Sequence, residues 1–267
     1  LAGLQVGESA ICAVSDDHEA GLLYRGYRIE NLVETCCFEE VAYLLIYGAL
    51  PTAAQLASYQ AKLCQYRALP SSLKQALENI PAQSHPMDVL RTACSLLGNE
   101  QPNTTIAQTQ AIADQLLAQF PAILLYWHLF HTRSKRIDTA STTASTAAYV
   151  LETLHQSPAD QEQAKMLDHS FTLYAEHEFN ASTFSARVTA ATLSDVYSAV
   201  CSAIGTLRGP LHGGANEQAY ALITQFKSPD EAERKVKTLL LNKKLIMGFG
   251  HRVYTHCDPR SAIIQGW

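Results

Sequence analysis

The sequence predicts an all-α protein with one short N-terminal β-hairpin. Helix-period apolar patterns, many with recognisable caps, run from Phe38 onward. Weak alternation is confined to the first 27 residues. Apolar residues make up 47% of the 267 and charged residues only 17%, which leaves much surface for burial in a core and a subunit interface.

The elements follow in order. "SAICAVS" and "GLLYRG" flank the polar connection "DDHEAG" and read as the hairpin. "FEEVAYLLIYGALP" places apolar residues at 38, 41, 44 and 45 and stops at Gly48 and Pro51. Thr52 and Gln55 form a capping box for a helix that Pro70 ends. "HPMDVLRTACSLLGN" puts Pro86 at a first helical position and Gly98 at the end. A long helix spans about 105–131, with Pro121 as a kink or break. A polar loop covers 133–146, and helices resume at 147–155 and 160–178. The stretch 183–207, rich in Ala, Ser and Thr, predicts one nearly continuous buried helix at a dimer seam. Helices at 215–226 and 229–242 follow, the second capped by Ser228 with Pro229 at its first position.

A net charge of −5 argues against a nucleic-acid binder, and no apolar run reaches the ~18 residues of a membrane span. No signal peptide is recognisable, although the chain begins with Leu1 rather than Met, leaving room for a lost leader. Seven cysteines without a C-x-x-C pair predict reduced thiols in an intracellular protein, cytoplasmic or, in a eukaryote, mitochondrial.

Three histidines stand among small or flexible neighbours that would let a ligand approach the backbone: His177 in "YAEHEFNAST", His212 in "RGPLHGGANE" and His251 in "MGFGHRVY". Each has a bland reading as a helix cap, an incidental turn residue or a connector residue. His212 precedes a helix start, where a neutral imidazole is favoured, and a neutral histidine can donate a hydrogen bond to an enolate. Six of the chain's twenty Lys and Arg residues lie between 234 and 252, where there is no acid. That fits a solvated helix face or a site for a polyanion such as a nucleotide phosphate tail. Arg260, behind Pro259, could bind a carboxylate bidentately. His128 with His131, and Glu176-His177-Glu178, lack the spacing to chelate an ion, so no metal is expected.

Taken together, "YRGY" (24–27), "HPMDVLRT", "EHEFNAST", "RGPLHGGANE" and "MGFGHRVY" followed by "DPR" resemble the citrate synthase family across essentially the whole chain. Within it, "YAEHEFNASTF" and "SAIGTLRGPLHGGANE" look closer to 2-methylcitrate synthases. The resemblance implies a homodimer of mostly helical subunits, with a large domain (1–210) and a small domain beginning at 211–267. Oxaloacetate binds in the cleft and is joined to propionyl-CoA, or to acetyl-CoA in the citrate synthase alternative. CoA enters as a thioester substrate, and no cofactor is permanently bound. His212 matches the enolate stabiliser and His251 the histidine that polarises the ketone. His177 and Arg260 match oxaloacetate ligands, and Leu245, Ile246, Met247, Gly248 and Phe249 match backbone that cradles CoA.

The family's base is an aspartate on a later segment, and no aspartate up to Trp267 matches its motif; Asp258 belongs to "DPR". The expectation is that the rest of the small domain follows Trp267. The alternative is a truncated, non-catalytic remnant that binds ligand or dimerises. A purely structural module would leave the histidines and the cation cluster to chance.

Overall fold

The computed structural model describes residues 7–14, 21–102, 105–250, 254 and 258–267. Strand β1 (Cys12–Val14) pairs antiparallel with β2 (Leu22–Tyr24), with Cys12 opposite Tyr24. Most of the "DDHEAG" connection lies outside the described residues. A third strand, β3 (Tyr27–Arg28), extends the expected hairpin across a tight turn. Cys12, Leu22 and Tyr24 are buried, as the two-residue period of a half-covered sheet requires.

Helix α1 (Ile29–Thr35) was not legible in sequence. It has seven residues and no capping side chain, and it is held by burial of Ile29, Leu32 and Val33. Helix α2 (Phe38–Tyr47) closes at Gly48 as expected. Helix α3 (Ala53–Tyr66) starts on the predicted box: the Gln55 N–H donates to Thr52 Oγ1 at 3.3 Å, and the Thr52 N–H donates to Gln55 Oε1 at 2.8 Å. A separate short helix, α4 (Ser71–Asn79), buries Leu73 and Leu77.

Helix α5 (Pro86–Glu100) begins at the expected proline but does not end at Gly98. A Cβ there would sit 2.9 Å from the Cβ of Tyr197. Gly98 is therefore a point of close helix approach rather than a terminator. After a 3-10 turn at 106–108, α6 (Thr109–Arg133) runs through Pro121 without a break. Helices α7 (Thr146–His155) and α8 (Gln161–Leu173) follow. Helix α8 stops five residues earlier than expected.

The predicted continuous helix over 183–207 is two helices, α9 (Ala181–Ala191) and α10 (Val196–Leu207). Leu193 takes a left-handed backbone (φ 63°), and Asp195 caps α10 by accepting the Ser198 N–H at 2.9 Å. The expected burial holds only in part: Ser182 is the one buried residue of α9, and Leu193 is 88% exposed. The small residues do let the pair approach closely, and the Ser185 and Ser202 hydroxyls hydrogen-bond across it. Helices α11 (Gly214–Ile223), α12 (Pro229–Leu241) and α13 (Pro259–Gln265) complete the chain.

The main core lies among α4, α5, α6, α7 and α10. A second cluster joins the sheet to α1, α2 and Leu173 at the end of α8, with Ile263 of α13 against it. A third fills the space between α2, α3 and α6. Neither α11 nor α12 buries a residue. Among the described residues no helix is long and apolar enough to cross a membrane.

Candidate active site

A cavity of about 700 Å³ opens where four pieces of chain converge: the first turn of α5, the α8–α9 connection, the α10–α11 corner and the start of α13. His177, His212 and Arg260 all line it.

The sheet shapes the His177 segment. The fully buried Tyr24 hydroxyl lies 3.1 Å from the Thr172 carbonyl oxygen and 3.0 Å from that of Glu176, and it accepts the Glu176 N–H at 3.2 Å. These bonds hold the chain as it leaves α8. The Glu176 carboxylate accepts the His177 N–H at 2.9 Å, and Glu178 turns the backbone with φ 58°. Burial pushes the Glu176 carboxyl above its ordinary value, against the backbone N–H groups of His177 and Glu178. His177 Nε2 lies 3.1 Å from the hydroxyl of buried Tyr254, with the two rings nearly perpendicular. Asn180 then caps α9 by accepting the Thr183 N–H at 3.0 Å.

His212 sits in the tight α10–α11 corner. A Cβ on Gly213 would come within 2.6 Å of the Leu207 carbonyl oxygen. The closeness of the corner thus requires a glycine here, and Gly213 and Gly214 both line the cavity. His212 Nε2 lies 2.9 Å from Ser182 Oγ and accepts the Ser182 backbone N–H at 3.3 Å. The Ser182 hydroxyl is also 2.7 Å from Asn180 Oδ1 and has one proton to give to either partner. A backbone donor aimed at Nε2 opposes a proton there, and burial holds the imidazole below the ordinary histidine range. Both effects favour a neutral ring with its hydrogen on Nδ1.

Arg260 opens α13 beside Asp258. The carboxylate accepts the Arg260 backbone N–H at 3.0 Å and pairs with the guanidinium through Nε (2.9 Å) and Nη2 (2.6 Å). Burial works against the cation, but the fork-shaped pair outweighs it and raises its pKa. At the α5 wall, His85 Nδ1 accepts the Met87 N–H, so Nε2 carries the proton that reaches Glu217 at 3.2 Å. Arg208 pairs with Asp88 at 2.9 Å.

The 245–249 segment does not line this cavity. Leu245 and Phe249 are more than three-quarters exposed, and Gly248 packs against Ala219 of α11. His251 lies outside the described residues. Two of the clustered cations are paired along α12, Lys235 with Glu231 and Lys237 with Glu233. His131 packs on Trp127 and Phe130, away from the cavity lining.

Sequence reasoning did not find Ser182, Tyr24 or Tyr254, each of which meets its partner across a long separation. The segments "YRGY" and "HPMDVLRT" were available signals, as were "EHEFNAST", which contains Ser182, and "MGFGHRVY", which contains Tyr254. The first supplies Tyr24, and the second supplies His85 and Met87 of the cavity wall.

The family model for the citrate synthase C-terminal domain matches residues 1–267. The chain belongs to the citrate synthase family. It is 51% identical to a 2-methylcitrate synthase of Shewanella oneidensis, over all of this chain and 71% of that protein. It is 39% identical to a citrate synthase of Synechocystis, over 99% of this chain and 67% of that one. The citrate synthase of Thermoplasma acidophilum, solved as a ternary complex with carboxymethyl coenzyme A and oxaloacetate, superposes with a TM-score of 0.91 at 28% identity, covering 99% of this chain and 70% of its own. The chain thus spans about two thirds of the length of these family members.

Proposed function

We propose that this protein condenses propionyl-CoA with oxaloacetate and water to give 2-methylcitrate and CoA. The observation that carries the reading is the convergence of His177, His212 and Arg260 on one cavity. The 51% identity to a 2-methylcitrate synthase favours the propionyl donor. Loss of the thioester α-proton leaves an enolate, whose oxygen takes a hydrogen bond from neutral His212. The enolate carbon attacks the oxaloacetate ketone, whose oxygen His251 polarises and protonates. His177 and Arg260 bind oxaloacetate, Arg260 through its guanidinium and a substrate carboxylate. Residues 245–249 meet CoA after the cleft closes and water is excluded. Hydrolysis of the new thioester then frees CoA. The base that takes the α-proton is not assigned to a residue of this chain. The assembly is a cytoplasmic homodimer, and exposed Leu193, Leu211 and Tyr220 supply apolar surface for the contact.

Citrate synthase activity with acetyl-CoA is the second reading, favoured by the 39% identity to the Synechocystis enzyme. Comparing kcat/KM for the two thioesters separates them, and a preference for acetyl-CoA overturns the first. In the active protein, His212→Ala lowers kcat about 10²–10³-fold while oxaloacetate still binds. Unchanged turnover would remove His212 from the mechanism.

A further inference from the structure

Helices α5 and α10 pack antiparallel along their whole length. Gly98 meets Tyr197 at one end, and Asp88 pairs with Arg208 at the other. Two cysteines face each other midway. The Cys94 sulfur lies 3.7 Å from the Tyr197 carbonyl oxygen on α10, and the Cys201 sulfur lies 3.5 Å from the Arg91 carbonyl oxygen on α5. Each thiol therefore reaches across to the opposite backbone one turn from its counterpart, with each S–H directed at the carbonyl oxygen it meets there. Cys94 is wholly buried, whereas Cys201 is partly exposed.

We propose that Cys94 and Cys201 form a two-thiol oxidation site that takes a peroxide at Cys201 and closes to a disulfide stapling α5 to α10. The Cys201 thiolate attacks one peroxide oxygen, the O–O bond breaks, and water leaves once the departing hydroxide is protonated. The Cys94 sulfur then attacks the Cys201 sulfenic acid. The S–S bond forms, the S–O bond breaks, and the hydroxide leaves with the Cys94 proton as a second water. Two thiols and one hydrogen peroxide become one disulfide and two waters, with the sulfurs oxidised and the peroxide reduced.

The division of roles follows from the surroundings. The neighbouring Cys94 thiol lowers the Cys201 pKa, and the nearby Arg91 charge adds to it, against burial and Asp195. The neighbouring Cys201 and burial keep the proton on Cys94. By contrast, burial holds Cys12 and Cys37 as thiols. The staple would bear on the cavity, because this helix pair also supplies His85, Met87, Leu207 and Arg208 to its wall.

Reduced native protein treated with hydrogen peroxide, alkylated and digested with trypsin without reductant tests the site. Peptides 92–133 and 188–208 appear joined, about 2 Da lighter than their sum, and dithiothreitol separates them. The oxidised protein melts several degrees higher than the reduced one, because the cross-link closes a long loop. Cys201→Ser abolishes the joined pair, and Cys94→Ser leaves a Cys201 sulfenic acid that dimedone traps. Recovery of Cys94 as the alkylated thiol beside a sulfinic Cys201, or a disulfide joining Cys201 to another cysteine, overturns the proposal. The wild-type peptide map decides the matter even if a variant fails to fold.

Discussion

His212 shows how a side chain's protonation can be set by its neighbours. Its Nε2 faces a backbone N–H that no change of the Ser182 side chain removes. Its folded-state pKa therefore lies below the ordinary 6.5, with burial as the cause. Between the folded midpoint and 6.5 the unfolded chain holds more protons. The neutral ring's contribution is complete above pH 6.5 and is lost as the pH falls through the folded midpoint. An NMR titration is expected to give a His212 midpoint under 6.5, and the wild type is expected to lose stability relative to His212→Asn on acidification. A midpoint at or above 6.5 would sink this account. His177, His212 and Arg260 were conspicuous in sequence because ionisable groups stood beside glycine, proline or asparagine. Ser182 and Tyr254 lie inside the quoted "EHEFNAST" and "MGFGHRVY" segments, but neither carries a local sign of a partner 30 or 77 residues away.

At the scale of elements, capping chemistry was legible because it is local. Thr52 with Gln55, and Ser228 with Glu231, do what their spacing requires. What failed depended on a distant surface. Gly98 has the sequence context of a helix terminator, but it lies inside α5 where Tyr197 presses on it. Gly98→Ala tests this by sign: helix propensity alone favours alanine by ~1 kcal/mol, whereas overpacking costs ~1–3 kcal/mol. We expect net destabilisation and a lower Tm, and a rise would refute the close contact. A second case is Asp168 of α8, whose carboxylate oxygens accept the Phe38 N–H at 3.0 and 3.2 Å and so cap α2 from outside. Burial raises its pKa to about 6, with Glu39 and Glu40 adding to the shift and the Phe38 N–H opposing it. The folded state holds the extra proton between 3.8 and about 6, so stability falls as the pH rises through that window. Asp168→Asn keeps an acceptor and drops the charge. Its Tm is expected to exceed the wild type's near pH 8 and to match it near pH 4; equal values at both would contradict the shift.

For the whole molecule, the three clusters that hold the fold draw on the sheet and on α1 to α8 with α10, while α11 and α12 contribute no buried residue. Amide hydrogen exchange should therefore be slow in α5 and α6 and faster in α11 and α12 of the 267-residue chain. Equal protection would show that these helices are held by contacts beyond those clusters. The helical class and most of the element order were readable from apolar spacing. The convergence of four distant segments on one cavity was not, because no periodicity encodes which helix ends meet.

The hydroxyl of Tyr24 carries a consequence for synthesis. It bonds to backbone 152 residues further along. On a ribosome adding ~5–20 residues per second, the N-terminal strand waits about 8–30 s before the segment it must shape exists. Until then the buried phenol has neither its donor nor its acceptors. The pocket thus cannot be completed until Arg260 has been made, long after one of its fixing points has emerged.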